Sequence, residues 1–117
     1  MQDPIDFSYL ENMAEGNEAF FKQVLVIFME NAPKDLKQLK RLILDQAEYD
    51  AIKKQAHGLK SSFGIVRVKD VLPCLQQIED LAATEGDRDK IEELLRQIID
   101  NYNQAKGIIR ALIADAS

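Results

Sequence analysis

The sequence predicts an all-α fold, an antiparallel four-helix bundle with a short additional helix at its start. Three observations carry that expectation. Apolar residues recur at helical spacing along nearly the whole chain, with no strand-like alternation of useful length. Only five glycines and three prolines punctuate the 117 residues. The uninterrupted stretches reach about 20 residues, or roughly 30 Å of helix, and short connections between such helices favour antiparallel packing. The length suits one core, so residues 1–117 are read as a single domain.

Each element has its own signals. Asp6 is placed to cap a short first helix running through about Ala14, with Gly16 ending it. Asn17 caps the second helix, whose apolar face comprises Phe20, Phe21, Val24, Leu25, Phe28, Ala32, Leu36, Leu39 and Ile43. Pro33 interrupts its backbone bonding and predicts a kink, because the periodicity resumes beyond it. A third helix is expected from Glu48 or Asp50 to about Val66. A fourth starts near Lys69 or Asp70, with Pro73 tolerated in its first turn. Residues Thr84 to Asp89 read as a loop in which Asp87 caps a last helix, Arg88 to about Ala114.

Composition narrows the function. The net charge of −5 argues against nucleic acid or an anionic membrane as partner of the whole surface. No apolar run is long enough to span a bilayer, and the first residues lack the pattern of a secretory signal. One cysteine, Cys74, excludes an internal disulfide and fits a reducing compartment, so the expectation is a cytoplasmic protein. One histidine and one cysteine do not make a zinc site, and no metal ligand set is assigned. A monomer is expected, since no heptad seam remains free once the bundle forms.

The lone histidine, His57, sits in the stretch AHGLKSSFGIVR. From Ala51 to Lys69 there is no acidic residue, yet Lys53, Lys54, Lys60, Arg67 and Lys69 all fall there. An acidic chain thus carries a basic zone around its only imidazole, suited to a negatively charged group. At 100° per residue, Ile52, Ala56, Leu59, Phe63 and Val66 form the buried stripe, and His57 lies about 140° from its middle. It therefore faces water. Lys60 and Ser61 follow it at three and four residues, and Gly64 lies two turns on along the same side. A helical glycine costs about 1 kcal/mol relative to alanine. At Gly64 the reason offered is close approach of a second molecule; at Gly58, which points away, helix packing or drift. By itself, an exposed histidine is most often an ordinary surface residue.

AHGLKSSFGIV resembles the signature of histidine phosphotransfer (HPt) domains, roughly A-H-x-L-K-G-[SA]-[SA], with Ala56, His57, Leu59, Lys60 and Ser62 matching. The order of elements, FMENAP near the middle of the second helix, and the pattern LxxIExL from Leu75 to Leu81 extend the resemblance from about Ile5 to Leu112. Two positions depart from it. Ser61 stands four residues after the histidine and Arg67 ten after, where the family commonly has glycine.

The resemblance implies a phosphorelay intermediate. It accepts a phosphoryl group on His57 from a receiver-domain aspartyl phosphate and passes it to another receiver aspartate. Kinase or phosphatase activity of its own is not expected. The chain lacks a Gly-rich phosphate loop and a nucleotide motif. Neutral imidazole, with an unperturbed pKa of about 6.5, is a nucleophile at physiological pH once one tautomer is held. Some relatives use Glu or Gln 22 residues after the histidine; here that position is Glu79, and Gln76 one turn earlier is a second orienting candidate. Lys60 is expected to offset phosphoryl charge. Lys53, Lys54, Ser61, Gly64 and Ile65 are candidates for docking the partner. The implied partners are response-regulator receivers and a hybrid sensor histidine kinase. No cofactor is assigned, magnesium being expected on the receiver. The competing reading is a phosphate-independent module that docks receivers. An enzyme would need a second convergent group beside the one imidazole.

Overall fold

A computed structural model of the chain describes residues 4–115. Five helices appear among them: α1 (Ser8–Ala14), α2 (Glu18–Leu44), α3 (Tyr49–Ile65), α4 (Val71–Ala83) and α5 (Arg88–Ala114). The last four close a ring in which α3 packs between α2 and α4, and α5 between α4 and α2. Short α2–α3, α3–α4 and α4–α5 connections make neighbours antiparallel. The first helix lies against α2. The core is continuous through the ring. Phe63 is fully buried at its centre, edge-on to Phe28 at 5.1 Å and to Tyr102 at 6.3 Å.

The helix starts follow the polar caps. The Asn17 side chain accepts from the Phe20 amide, and Asp87 accepts from the Asp89 and Lys90 amides. Helix α2 runs unbroken through Pro33. Asp6 behaves differently from expectation. Its carboxylate accepts from the Ser8 amide and hydroxyl at 2.9 and 2.6 Å, while Phe7 occupies the capping position of α1. The helix stops are less legible. Glu15, Gln46 and Glu85 adopt the left-handed conformation after α1, α2 and α4; Gly16, placed by the sequence at the end of α1, follows Glu15 with a φ of 82°.

Three further expectations are corrected. Phe20 is exposed, because it lies at the edge of a stripe whose middle is Leu25, Phe28 and Ala32. Of the two reasons offered for Gly58, helix packing falls away and drift is left, since a Cβ built there meets nothing within 4 Å. A strand pair, absent from the sequence reading, joins β1 (Ile5–Asp6) to β2 (Arg67–Val68) in antiparallel register, Ile5 opposite Val68. Two residues per strand are too few for an alternation pattern to register. The pair seats Ile5 and Val68 in the core. Beside it the Arg67 guanidinium stacks 4.8 Å from the centre of the Tyr9 ring, and its Nε donates to the Gly64 carbonyl.

Candidate functional site

Leu59 and Phe63 anchor α3 in the core, and that anchoring turns His57 outward. Its side chain is 68% exposed. The apolar stripe of α4, Val71, Leu75, Ile78 and Ala82, packs inward in the same way. The residues beside that stripe, Gln76, Glu79 and Asp80, are thereby carried to the α3–α4 seam. These two helices share the most extensive contact of the bundle.

Glu79 is the junction of the site. Its Oε1 lies 2.9 Å from His57 Nδ1, and its Oε2 lies 2.6 Å from Lys60 Nζ. Oε2 is sealed from solvent and lacks an aligned hydrogen bond, so the ionic contact with Lys60 offsets its burial. The Lys60 ammonium is the main influence holding the Glu79 carboxyl below its ordinary value of 4.5. Partial desolvation opposes this, and the bond to His57 adds to it. An ionised carboxylate only accepts, so the proton of a neutral imidazole belongs on Nδ1. That leaves Nε2 with a free lone pair on the solvent side.

Gln76 faces Lys60 and not the imidazole. Its Oε1 accepts from Lys60 Nζ at 2.9 Å, and its Nε2 donates to Asp80 Oδ1 at 2.9 Å. His57, Lys60, Gln76 and Glu79 are thus brought together, with Glu79 alone of the two orienting candidates bonded to the ring. The remaining predicted positions spread along α3. Lys54 pairs with Asp50 in its own helix at 3.0 Å. Lys53 lines a cleft towards the α4–α5 turn with Tyr49 and Arg88. Ser61 is exposed, and a Cβ on Gly64 meets open space.

Ile65 borders an apolar groove of about 80 Å³ between α2 and α3, together with Val24, Ile27, Asn31 and Ser62. Ile27, 47% exposed, was missed in the sequence because it falls outside the buried stripe of α2. Asp80 was missed because its connection to the site runs through Gln76. The basic zone read from the sequence is partly neutralised by Glu79 of α4, which pairs with Lys60 and which a scan of α3 alone does not see.

Among the described residues there is no cluster of histidine, cysteine and carboxylate groups fit to hold a metal ion, and no helix long and apolar enough to cross a membrane. The Hpt domain family model matches residues 23–108. A solved structure described as a histidine-containing phosphotransfer protein from rice superposes with a TM-score of 0.79 at 17% identity, covering 96% of this chain and 81% of that one. At that identity the likeness speaks to the fold. No curated protein matches in sequence. The family match spans the helix that carries His57 and most of the bundle around it, and the chain belongs to the Hpt domain family, the histidine phosphotransfer modules of two-component relays.

Proposed function

We propose that His57 Nε2 accepts a phosphoryl group from the aspartyl phosphate of one receiver domain and delivers it to the aspartate of another. The observation that carries this reading is the bond from His57 Nδ1 to Glu79, which leaves the second nitrogen unencumbered on an exposed ring. In the forward step the Nε2 lone pair forms the N–P bond. The P–O bond to the donor aspartate breaks, and the aspartate leaves with the electron pair as a carboxylate. The proton stays on Nδ1, donated in a hydrogen bond to Glu79, whose charge offsets the positive character the ring acquires. Lys60 offsets charge on the phosphoryl oxygens. The reverse sequence serves delivery.

Magnesium enters with the receiver in this reading, and no residue of this chain is assigned to it. The chain supplies neither kinase nor phosphatase chemistry of its own. The groove beside Ile27 and Ile65 offers apolar surface for the receiver, with Ser61 and Gly64 leaving room for its approach.

The test is to incubate the chain with receivers charged with labelled phosphate. Acid-labile, alkali-stable label is expected on the chain and not on His57→Gln. Docking with no label on the wild type would replace the relay with a phosphate-independent binding module.

A further inference from the structure

Gln76 stands between a cation and an anion. Lys60 Nζ lies against its carbonyl oxygen and Asp80 Oδ1 against its amide nitrogen, both at 2.9 Å. An ammonium only donates and an ionised carboxylate only accepts, so chemistry permits one orientation of the amide. The reverse would set NH₂ against ammonium and C=O against carboxylate. Asp80 is one helical turn after Gln76 on α4, where side chains meet directly. The Asp80 carboxylate therefore tethers the far end of the amide and holds its carbonyl against Lys60. Lys60, 26% exposed, is gripped by two acceptors of α4, the Gln76 amide and the Glu79 carboxylate.

We infer that Asp80 is a positioning residue for phosphotransfer: through the Gln76 amide it holds the Lys60 ammonium at the His57–Glu79 pair. The inference rests on the reading of His57 as phosphoacceptor. With Asp80 removed, the amide of Gln76 loses its tether and can swing away from Lys60. The lysine then keeps a single anchor, on Glu79, and spends less time where phosphoryl charge develops. Asparagine at position 80 keeps an acceptor oxygen and preserves the arrangement.

Two readouts on the full chain test this: the rate of label transfer from a saturating phosphorylated receiver, and the ¹⁵N-edited NMR signal of the Lys60 ammonium. Asp80→Ala should slow transfer about three- to tenfold, the worth of one ordinary hydrogen bond, and broaden the Lys60 signal. Asp80→Asn should restore both. In a Gln76→Leu background, adding Asp80→Ala should change neither. A wild-type rate and Lys60 signal in Asp80→Ala would overturn the inference. So would an undiminished effect of Asp80→Ala in the Gln76→Leu background, which would mean that Asp80 acts by its own charge. Failure of the wild type to take label would overturn the phosphoacceptor reading and the phosphotransfer role with it. The Lys60 signal would still decide separately whether Asp80 holds the lysine.

Discussion

His57 Nδ1 and Glu79 Oε1 lie 2.9 Å apart although 22 positions separate them, and the other oxygen of the same carboxylate meets Lys60. One side chain thus fixes the tautomer of the imidazole and anchors the neighbouring cation. Glu79→Ala removes both functions. A hydrogen bond to a charged group is worth about 1.5–3 kcal/mol, so transfer should slow roughly ten- to a hundredfold. Glu79→Gln retains an acceptor for Nδ1–H and should lie between. Rapid-quench transfer rates at saturating receiver check the order.

The same carboxylate makes stability depend on acid. Its titration in the folded chain lies below the ordinary 4.5, chiefly because of Lys60. The stabilisation is therefore fully present above pH 4.5 and is lost as pH falls through the lower folded value. The stability difference between wild type and Glu79→Gln should narrow as pH drops below 4.5. Urea unfolding midpoints of the two proteins across that range measure it.

The glycines of α3 separate folding from docking. Both Gly58 and Gly64 face open space, so alanine fits at either. Each substitution should stabilise the chain by about 1 kcal/mol. Gly58→Ala should leave receiver binding unchanged. Gly64→Ala, on the His57 side, should weaken it. Thermal unfolding and receiver titration by calorimetry distinguish the two.

Ile27 reports on the groove. It is 47% exposed, so Ile27→Asp should change stability by no more than about 0.5 kcal/mol, as surface substitutions usually do. On the proposed docking of the receiver at this groove, the substitution should weaken receiver affinity about tenfold, the size of a modest interface contact. Tight receiver binding by this variant would move the docking surface elsewhere.

Phe63 is the core position whose truncation should cost most. It is fully buried between Phe28 and Tyr102, and Phe63→Ala should destabilise by about 3–5 kcal/mol. The urea midpoint should fall accordingly.

The bundle is legible because its signals are local. The stripe from Ile52 to Phe63 gives the buried face of α3, and Asn17 and Asp87 start α2 and α5 with their own side chains. The outward direction of His57 follows from that stripe. The partner of its Nδ1 does not, because Glu79 and Gln76 sit less than one turn apart on α4. Only the rotation of α4 against α3 selects between them. Asp80 is further removed still, being tied to Lys60 through another side chain. The helix stops at Gln46 and Glu85 escape for a different reason: residues other than glycine adopt a conformation that favours glycine.

The β1–β2 pair has a kinetic meaning. Residues 5 and 68 belong to one short ladder, reinforced by the Lys69 amide donating to the Pro4 carbonyl at 2.8 Å. Joining them closes a long loop of chain for very few bonds, and the entropy of that closure must be met before the bonds return anything. Helix α3 meets α4 across a connection of only a few residues. The α3–α4 hairpin can therefore assemble early, and the clasp is among the last parts to close. In the native state it is correspondingly early to let go: the amide proton of Lys69, bonded to the Pro4 carbonyl, should exchange with deuterium through a local opening, well before those of Leu59 or Ile78.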